Sequence, residues 1–230
     1  MSSIVVVTGA AGALGRAVAD MFWKQGATVI AVDLDRQGLE RVYGGRERVR
    51  CVAADLTDAD GSRAALEAAI DMAGHPDVLC NIAGGFTMGD AVHATPEQQW
   101  RRMIDLNVAT VFNASAAVVP HMLAGGAGKI INVAAASATS GKGTMGAYCA
   151  AKDAVARLTE SMAQELRPQG VNVNAVAPSI LDTPANREAM PGADPGQWVA
   201  LEDLAAVVGF LASPQARAVH GAVLPVVGLS

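Results

Sequence analysis

The chain has 230 residues, 51% of them hydrophobic, with 17 Lys and Arg against 22 Asp and Glu, a formal net charge of −5 and a pI of about 5.3. That apolar share can fill one large α/β domain, and the interspersed charges exclude a basic nucleic-acid stripe or a polybasic membrane patch. Cys51, Cys80 and Cys149 lack CxxC spacing and read as reduced thiols, while His75, His93, His121 and His220 offer no metal-ligand spacing, so no metal is expected.

The chain enters a strand at 4–7 at once. No basic segment followed by an apolar one precedes it, so no signal peptide is expected. No apolar run approaches a membrane span, and a cytoplasmic protein is the expectation. Further Val/Ile/Ala runs at 28–32, 50–53, 78–81, 129–133, 171–176 and 223–226 also read as strands. They are continuous rather than alternating, as for strands covered on both faces. Helices are expected at 14–25, 60–73, 96–123, 148–167 and 201–212, with stops at Gly26, Gly74, Pro168 and Gly170. This alternation predicts a Rossmann-type doubly wound parallel sheet of about seven strands with helices on both faces. One domain over 1–230 is expected, with 182–198, rich in Pro, Gly, Ala and Asn, as a substrate lid.

The first strand runs into Thr8-Gly9-Ala10-Ala11-Gly12-Ala13-Leu14-Gly15. Gly9 permits a tight turn, and Gly12 and Gly15 permit close backbone approach. The helix that follows offers free N–H groups to a pyrophosphate. Asp33 ends the second strand, 24 residues after Gly9. A carboxylate there can accept from an adenosine ribose and repel a 2′-phosphate, favouring NAD over NADP; a turn-forming Asp is the alternative. Arg16 and Arg36 soften that preference. Asp55, with Leu56 beside it, is placed for the adenine edge or for capping a helix. Asn81, Ala83 and Gly84 leave room for a cofactor, or form a bare turn.

Tyr148 and Lys152 stand four apart in Gly-Ala-Tyr-Cys-Ala-Ala-Lys, on one face of a helix. A cation beside a phenol favours the phenolate, so the expected Tyr exchanges a proton nearer neutral pH. With the nucleotide turn, the pair implies hydride transfer to or from a small organic substrate.

Together these motifs resemble the short-chain dehydrogenase/reductase family over essentially the whole chain. The resemblance implies cofactor-binding roles for Gly9, Gly12, Leu14, Gly15, Asp33, Asp55, Leu56, Asn81, Ala83 and Gly84. It implies a catalytic Tyr148 and Lys152, both also touching cofactor, and a catalytic-helix Asn107 holding a water linked to Lys152. Pro178 to Pro184 resembles the nicotinamide segment, so the Ile180 backbone and Thr183 hydroxyl would fix the carboxamide. Ala13, Ile82 and Ser179 depart from the pattern. So does Ala135, where the family's catalytic Ser is expected; Ser137 is the one nearby substitute. The lid block from Leu181 to Arg187, Met190, Pro191, Asp194 and Trp198 resembles dihydropteridine reductases, a Ser-less branch of the same family.

The implied activity is NAD(H)-dependent oxidation or reduction of a small carbonyl or secondary alcohol. The alternatives are reduction of a quinonoid dihydropterin or imine, and a non-catalytic NAD(H) sensor. Phe86, Met145, Met190 and Trp198 are candidates for an apolar pocket or for plain core. A homodimer or homotetramer is expected through the long helices 96–123 and 148–167.

Overall fold

Strand β1 (Ile4–Thr8) reads Ile-Val-Val-Val-Thr, and its side chains leave the pleat alternately. Val5 and Val7 enter one core with Leu14, Val18 and Phe22 and with Leu204 and Val208. Val6 enters the other, with Leu66, Ile70, Val118 and Met122. The same split recurs along β2 (Thr28–Asp33), β4 (Val78–Asn81), β5 (Gly128–Val133) and β6 (Val171–Pro178), which is why these runs are continuously apolar. β3 (Val49–Ala53) and β7 (Val223–Val226) are the edges and less buried.

The computed structural model describes residues 3–230. Its seven strands form one sheet in the order β3-β2-β1-β4-β5-β6-β7, every pair parallel. The order reverses between β1 and β4, and ligands of such sheets bind in that crevice at the strand C-termini.

Helices α1 (Ala13–Lys24) and α8 (Leu201–Ala212) cover one face. Helices α3 (Ala59–Ala73), α5 (Thr110–Gly125) and α6 (Gly146–Leu166) cover the other. Helix α2 (Arg36–Tyr43) was not expected. It carries Gly38 in eight residues and buries only Leu39 and Tyr43 as apolar anchors, too faint a period to read. The lid also holds a short helix, α7 (Pro184–Ala189), whose N-cap Thr183 accepts from the Asn186 N–H at 3.1 Å.

The expected helix 96–123 is α4 (Glu97–Ile104), a π-helical turn over Asp105–Ala109, then α5. In that turn the Thr110 N–H reaches back to the Asp105 carbonyl. Within Glu97–Gly125 one 18-residue stretch has a mean hydropathy of 1.3, so by length and composition alone this helix could cross a membrane. Its apolar side is spent on the protein core: Val111, Ala114, Ala117, Val118 and Met122 are buried beneath α3 and the sheet.

Candidate active site

The crevice is built from the ends of β1 and β4. Thr8, 1% exposed, uses its hydroxyl to accept the N–H groups of Ile82 (2.9 Å) and Ala83 (3.0 Å). This ties the β1 turn to the segment after β4. Gly9 has φ +63°, and a Cβ there would lie 2.9 Å from the backbone of Ala83. A Cβ on Gly15 would lie 2.1 Å from the Gly9 carbonyl oxygen. Both glycines are therefore required by close packing. Helix α1 starts at Gly12 with no side-chain cap and no acid in its first turn, so its N-terminal N–H groups and dipole stay available to an anion. Leu14 is buried, leaving only its backbone to contribute. The turn is braced from below by the Tyr43 hydroxyl, which donates to the Ala10 carbonyl at 2.9 Å. Burial holds that phenol far above its ordinary pKa.

The Asp33 carboxylate accepts the Ala11 N–H at 2.9 Å through one oxygen and the Asp35 N–H at 3.0 Å through the other. It is thus a turn-former, with lone pairs left over for a further donor. Arg16 bends over the same turn, donating to the Ala11 carbonyl at 2.8 Å. Asp55 accepts the hydroxyl (2.7 Å) and N–H (2.9 Å) of Thr57, which hold it below the usual carboxylate range. Leu56 is buried, its carbonyl accepting from Asn113 at 2.9 Å.

Asn81 does not face the crevice. It is 2% exposed and donates to Asn132 (2.9 Å), its register partner on β5, and to Ser115 (3.3 Å). Asn132 donates onward to Thr159 at 2.9 Å. The ladder locks β4, β5 and α6 together beneath the site, and leaves the Asn81 Oδ1 buried without a partner.

Lys152 and Asn107 meet at Gly84, and Tyr148 stands one turn before Lys152 on α6 with its ring against Phe86, two residues beyond Gly84. Asn107, 0% exposed in the π-helical turn, grips Gly85 from both sides. Its Oδ1 accepts the Gly85 N–H at 3.1 Å and its Nδ2 donates to the Gly85 carbonyl at 3.0 Å. A Cβ on Gly84 would stand 2.8 Å from the Asn107 Oδ1 and 3.3 Å from the Lys152 Nζ. The Lys152 ammonium donates to the Val133 carbonyl at 2.8 Å, and burial lowers its pKa to about 8. Burial, and then neighbouring Cys149, pushes Tyr148 up to about 12. This differs from the expected acidified phenol: desolvation raises it, and the Lys152 ammonium is engaged with the Val133 carbonyl. The Phe86 ring meets the Tyr148 ring edge-on, with centroids 4.9 Å apart and planes at 80°.

Ala135 is 4% exposed in extended backbone just after β5. Ser137 lies in the following turn and accepts the Cys149 thiol through its carbonyl at 3.3 Å. On the lid side, Ile180 is 37% exposed, while Trp198 is 8% exposed. Trp198 is core, not pocket lining. Leu181 and Val199 pair as a short parallel bridge, so both ends of the lid are tied together. Arg187 closes a two-pronged ion pair on Asp182 at 2.6 and 2.8 Å. Among the described residues no cluster of three His, Cys, Asp or Glu side chains forms a metal site.

A glycine turn leading into an uncapped helix N-terminus, a carboxylate at the second strand and a Tyr–Lys pair thus share one sheet edge. Residues 3–194 match the family model described as short chain dehydrogenase. The chain is 36% identical over 191 residues to 2-(R)-hydroxypropyl-CoM dehydrogenase from Xanthobacter autotrophicus, covering 80% of this chain and 76% of that one. It superposes with a TM-score of 0.88 on the 3-ketoacyl-(acyl-carrier-protein) reductase of Brucella melitensis complexed with NADH, at 31% identity over 98% of this chain and 97% of that one. Carveol dehydrogenase from Mycobacterium avium in complex with NAD gives 0.90, at 27% identity over 98% and 96%. The chain belongs to the short-chain dehydrogenase family.

Proposed function

We propose that this protein is an NAD(H)-dependent oxidoreductase of small carbonyl compounds or secondary alcohols. The observation that carries the reading is that Lys152 and Asn107 meet at Gly84 with Tyr148 against the adjoining Phe86, across the sheet's crossover from an uncapped α1 N-terminus. The residues fit a dinucleotide. Gly9, Gly12 and Gly15 keep the turn low for a pyrophosphate, with the backbone of Leu14 beside them. Asp33 has acceptor capacity left for a ribose hydroxyl, and its charge disfavours a 2′-phosphate. The Asp55–Leu56 backbone, the Ala83–Gly84 backbone that follows the strand end Asn81 ties to β5, and the Ile180–Thr183 segment complete the proposed contacts. Relatives solved with NADH and NAD support the same cofactor.

When bound, the nicotinamide supplies or accepts the hydride. Tyr148 gives a proton to the substrate oxygen in reduction and takes it back in oxidation. With its pKa pushed up to about 12 it is protonated at neutral pH, the form the acid role needs. Lys152, with a pKa of about 8, exchanges protons with solvent near neutrality and resupplies Tyr148. Asn107 holds the Gly85 backbone against this pair.

Ala135 favours a second reading. A methyl group cannot donate to an oxyanion, so a quinonoid dihydropterin or imine, protonated on nitrogen, suits this site better than it suits a Ser-bearing relative. Exposed Trp100 and Phe112 on α4 and α5, Leu224 on β7, and Val227 and Leu229 just beyond it support self-association as a dimer or tetramer.

Absorbance at 340 nm tests the reading, with NADH and either small ketones or quinonoid dihydropterin. Tyr148→Phe is expected to abolish turnover and keep NADH binding. Turnover retained by Tyr148→Phe refutes the assignment.

A further inference from the structure

The segment after β4 is an anchored wall that shows apolar side chains to solvent. Every other residue holds it down. Gly85 is gripped by Asn107 on both its N–H and its carbonyl. The Thr87 hydroxyl accepts from Gln99 at 2.8 Å, and the Gly89 N–H donates to the Thr144 carbonyl at 2.9 Å. The residues between are large, apolar and uncovered: Phe86 is 58% exposed and Met88 57%. Val92, 71% exposed, packs over Gly146, where a Cβ would come within 2.5 Å of it. Gly146 is two residues from Tyr148, and Phe86 touches Tyr148 directly.

A fixed backbone displaying uncovered apolar groups beside the reactive phenol is organised in advance to cover something apolar. The charges nearby do not invite an anion. The loop tied to Thr144 carries Asp90 and His93, the turn before α6 carries Lys142, and the lid carries Asp182, Arg187 and Glu188. Arg187 is committed to Asp182, and Lys152, one turn along α6 from Tyr148, is 5% exposed and bonded to the Val133 carbonyl.

Resting on the oxidoreductase reading, we infer that this wall selects a neutral alicyclic or aromatic substrate, with Phe86 as the specificity-determining residue that packs the substrate ring against Tyr148. Asn107 is the positioning residue that presents Phe86.

The test separates binding from turnover. Cyclohexanol, 2-propanol and 3-hydroxybutanoate are titrated by saturation-transfer NMR into the protein loaded with NAD, and initial rates are taken with the same alcohols. Wild type is expected to bind cyclohexanol at least about tenfold more tightly than either other alcohol. Phe86→Ala is expected to weaken cyclohexanol about tenfold and 2-propanol less than about twofold, with Phe86→Leu between. Phe86 is mostly exposed, so both variants fold. Equal losses for the two neutral alcohols, or tighter binding of 3-hydroxybutanoate, overturn the inference. Selective binding without turnover of any alcohol keeps the ring site and defeats the dehydrogenase reading. Turnover with a ring preference unchanged in Phe86→Ala does the reverse.

Discussion

Replacing Lys152 by Met is expected to stabilise the protein at neutral pH while destroying its activity. Lys152 is 5% exposed, and burial takes its pKa from the ordinary 10.5 to about 8. Each tenfold change in proton affinity is about 1.4 kcal/mol, so holding this ammonium in the fold costs about 3 kcal/mol at pH 7. Met fills a similar volume without charge. It leaves the Val133 carbonyl without its donor, a loss of about 1 kcal/mol. The net expectation is a gain of about 2 kcal/mol at pH 7. The pH dependence follows from the proton count. Between pH 8 and 10.5 the unfolded chain keeps the Lys proton that the folded chain has released, so wild-type stability rises through that window. At pH 9.5 the cost has shrunk to about 1.5 kcal/mol, and the advantage of Met falls to nearly zero. Urea denaturation of both proteins at pH 7 and 9.5, at one protomer concentration, reads the difference directly. A destabilised variant at pH 7, or a stability difference that does not change with pH, refutes the buried-charge argument.

Two further perturbations probe the site. Ala135→Ser restores a hydroxyl donor at a position that is 4% exposed. With the carbonyl reading it is expected to raise kcat for ketone reduction by about 10- to 100-fold. No gain with ketones, beside good turnover of quinonoid dihydropterin by wild type, favours the second reading. Asp33→Ala removes the carboxylate that holds the Ala11 N–H and leaves Arg16 next to the turn. It is expected to move the ratio of kcat/KM values toward NADPH by at least about tenfold, measured with both cofactors. An unchanged ratio means Asp33 is a turn-former and nothing more.

The parallel sheet was legible because its strands are buried on both faces, and such strands are continuous Val and Ile runs whatever surrounds them. The Gly turn was legible because its conformation admits few residues: Gly9 has a positive φ and Gly15 lies against a carbonyl. The side of the sheet that the Asn81 side chain takes is not written in the sequence. From sequence Asn81 sits at a strand end beside Ala83 and Gly84, but only the register opposite Asn132 shows that it points into the core. Helix α2 and the Tyr43 brace under Ala10 were hidden because eight residues with Leu39, Val42 and Tyr43 as their apolar members make too short a run to carry a period. The π-helical turn is written in no composition; it is set where Asn107 reaches Gly85. The state of Tyr148 was misjudged for a related reason. Spacing places a cation one turn away, but it does not say how much water is lost or that the ammonium is already bonded to Val133.

The buried polar side chains under the crevice share one logic. Thr8, Asn81, Asn107, Asn132, Lys152 and Thr159 are each no more than 5% exposed, and they lie under or beside the C-terminal ends of β1, β4 and β5. An apolar core of the same shape would be at least as stable, since hydrogen bonds made inside a protein only replace those made to water. What apolar residues cannot do is fix direction. The Thr8 hydroxyl takes two consecutive N–H groups, Asn132 receives Asn81 in register, and Asn107 grips both polar groups of one peptide. Each contact pins a strand end that carries chemistry on its upper side. The unpaired Asn81 oxygen and the desolvated Lys152 are the stability given up for that precision, and they sit where a shift of the strand ends would displace Tyr148 and the Gly turn from one another.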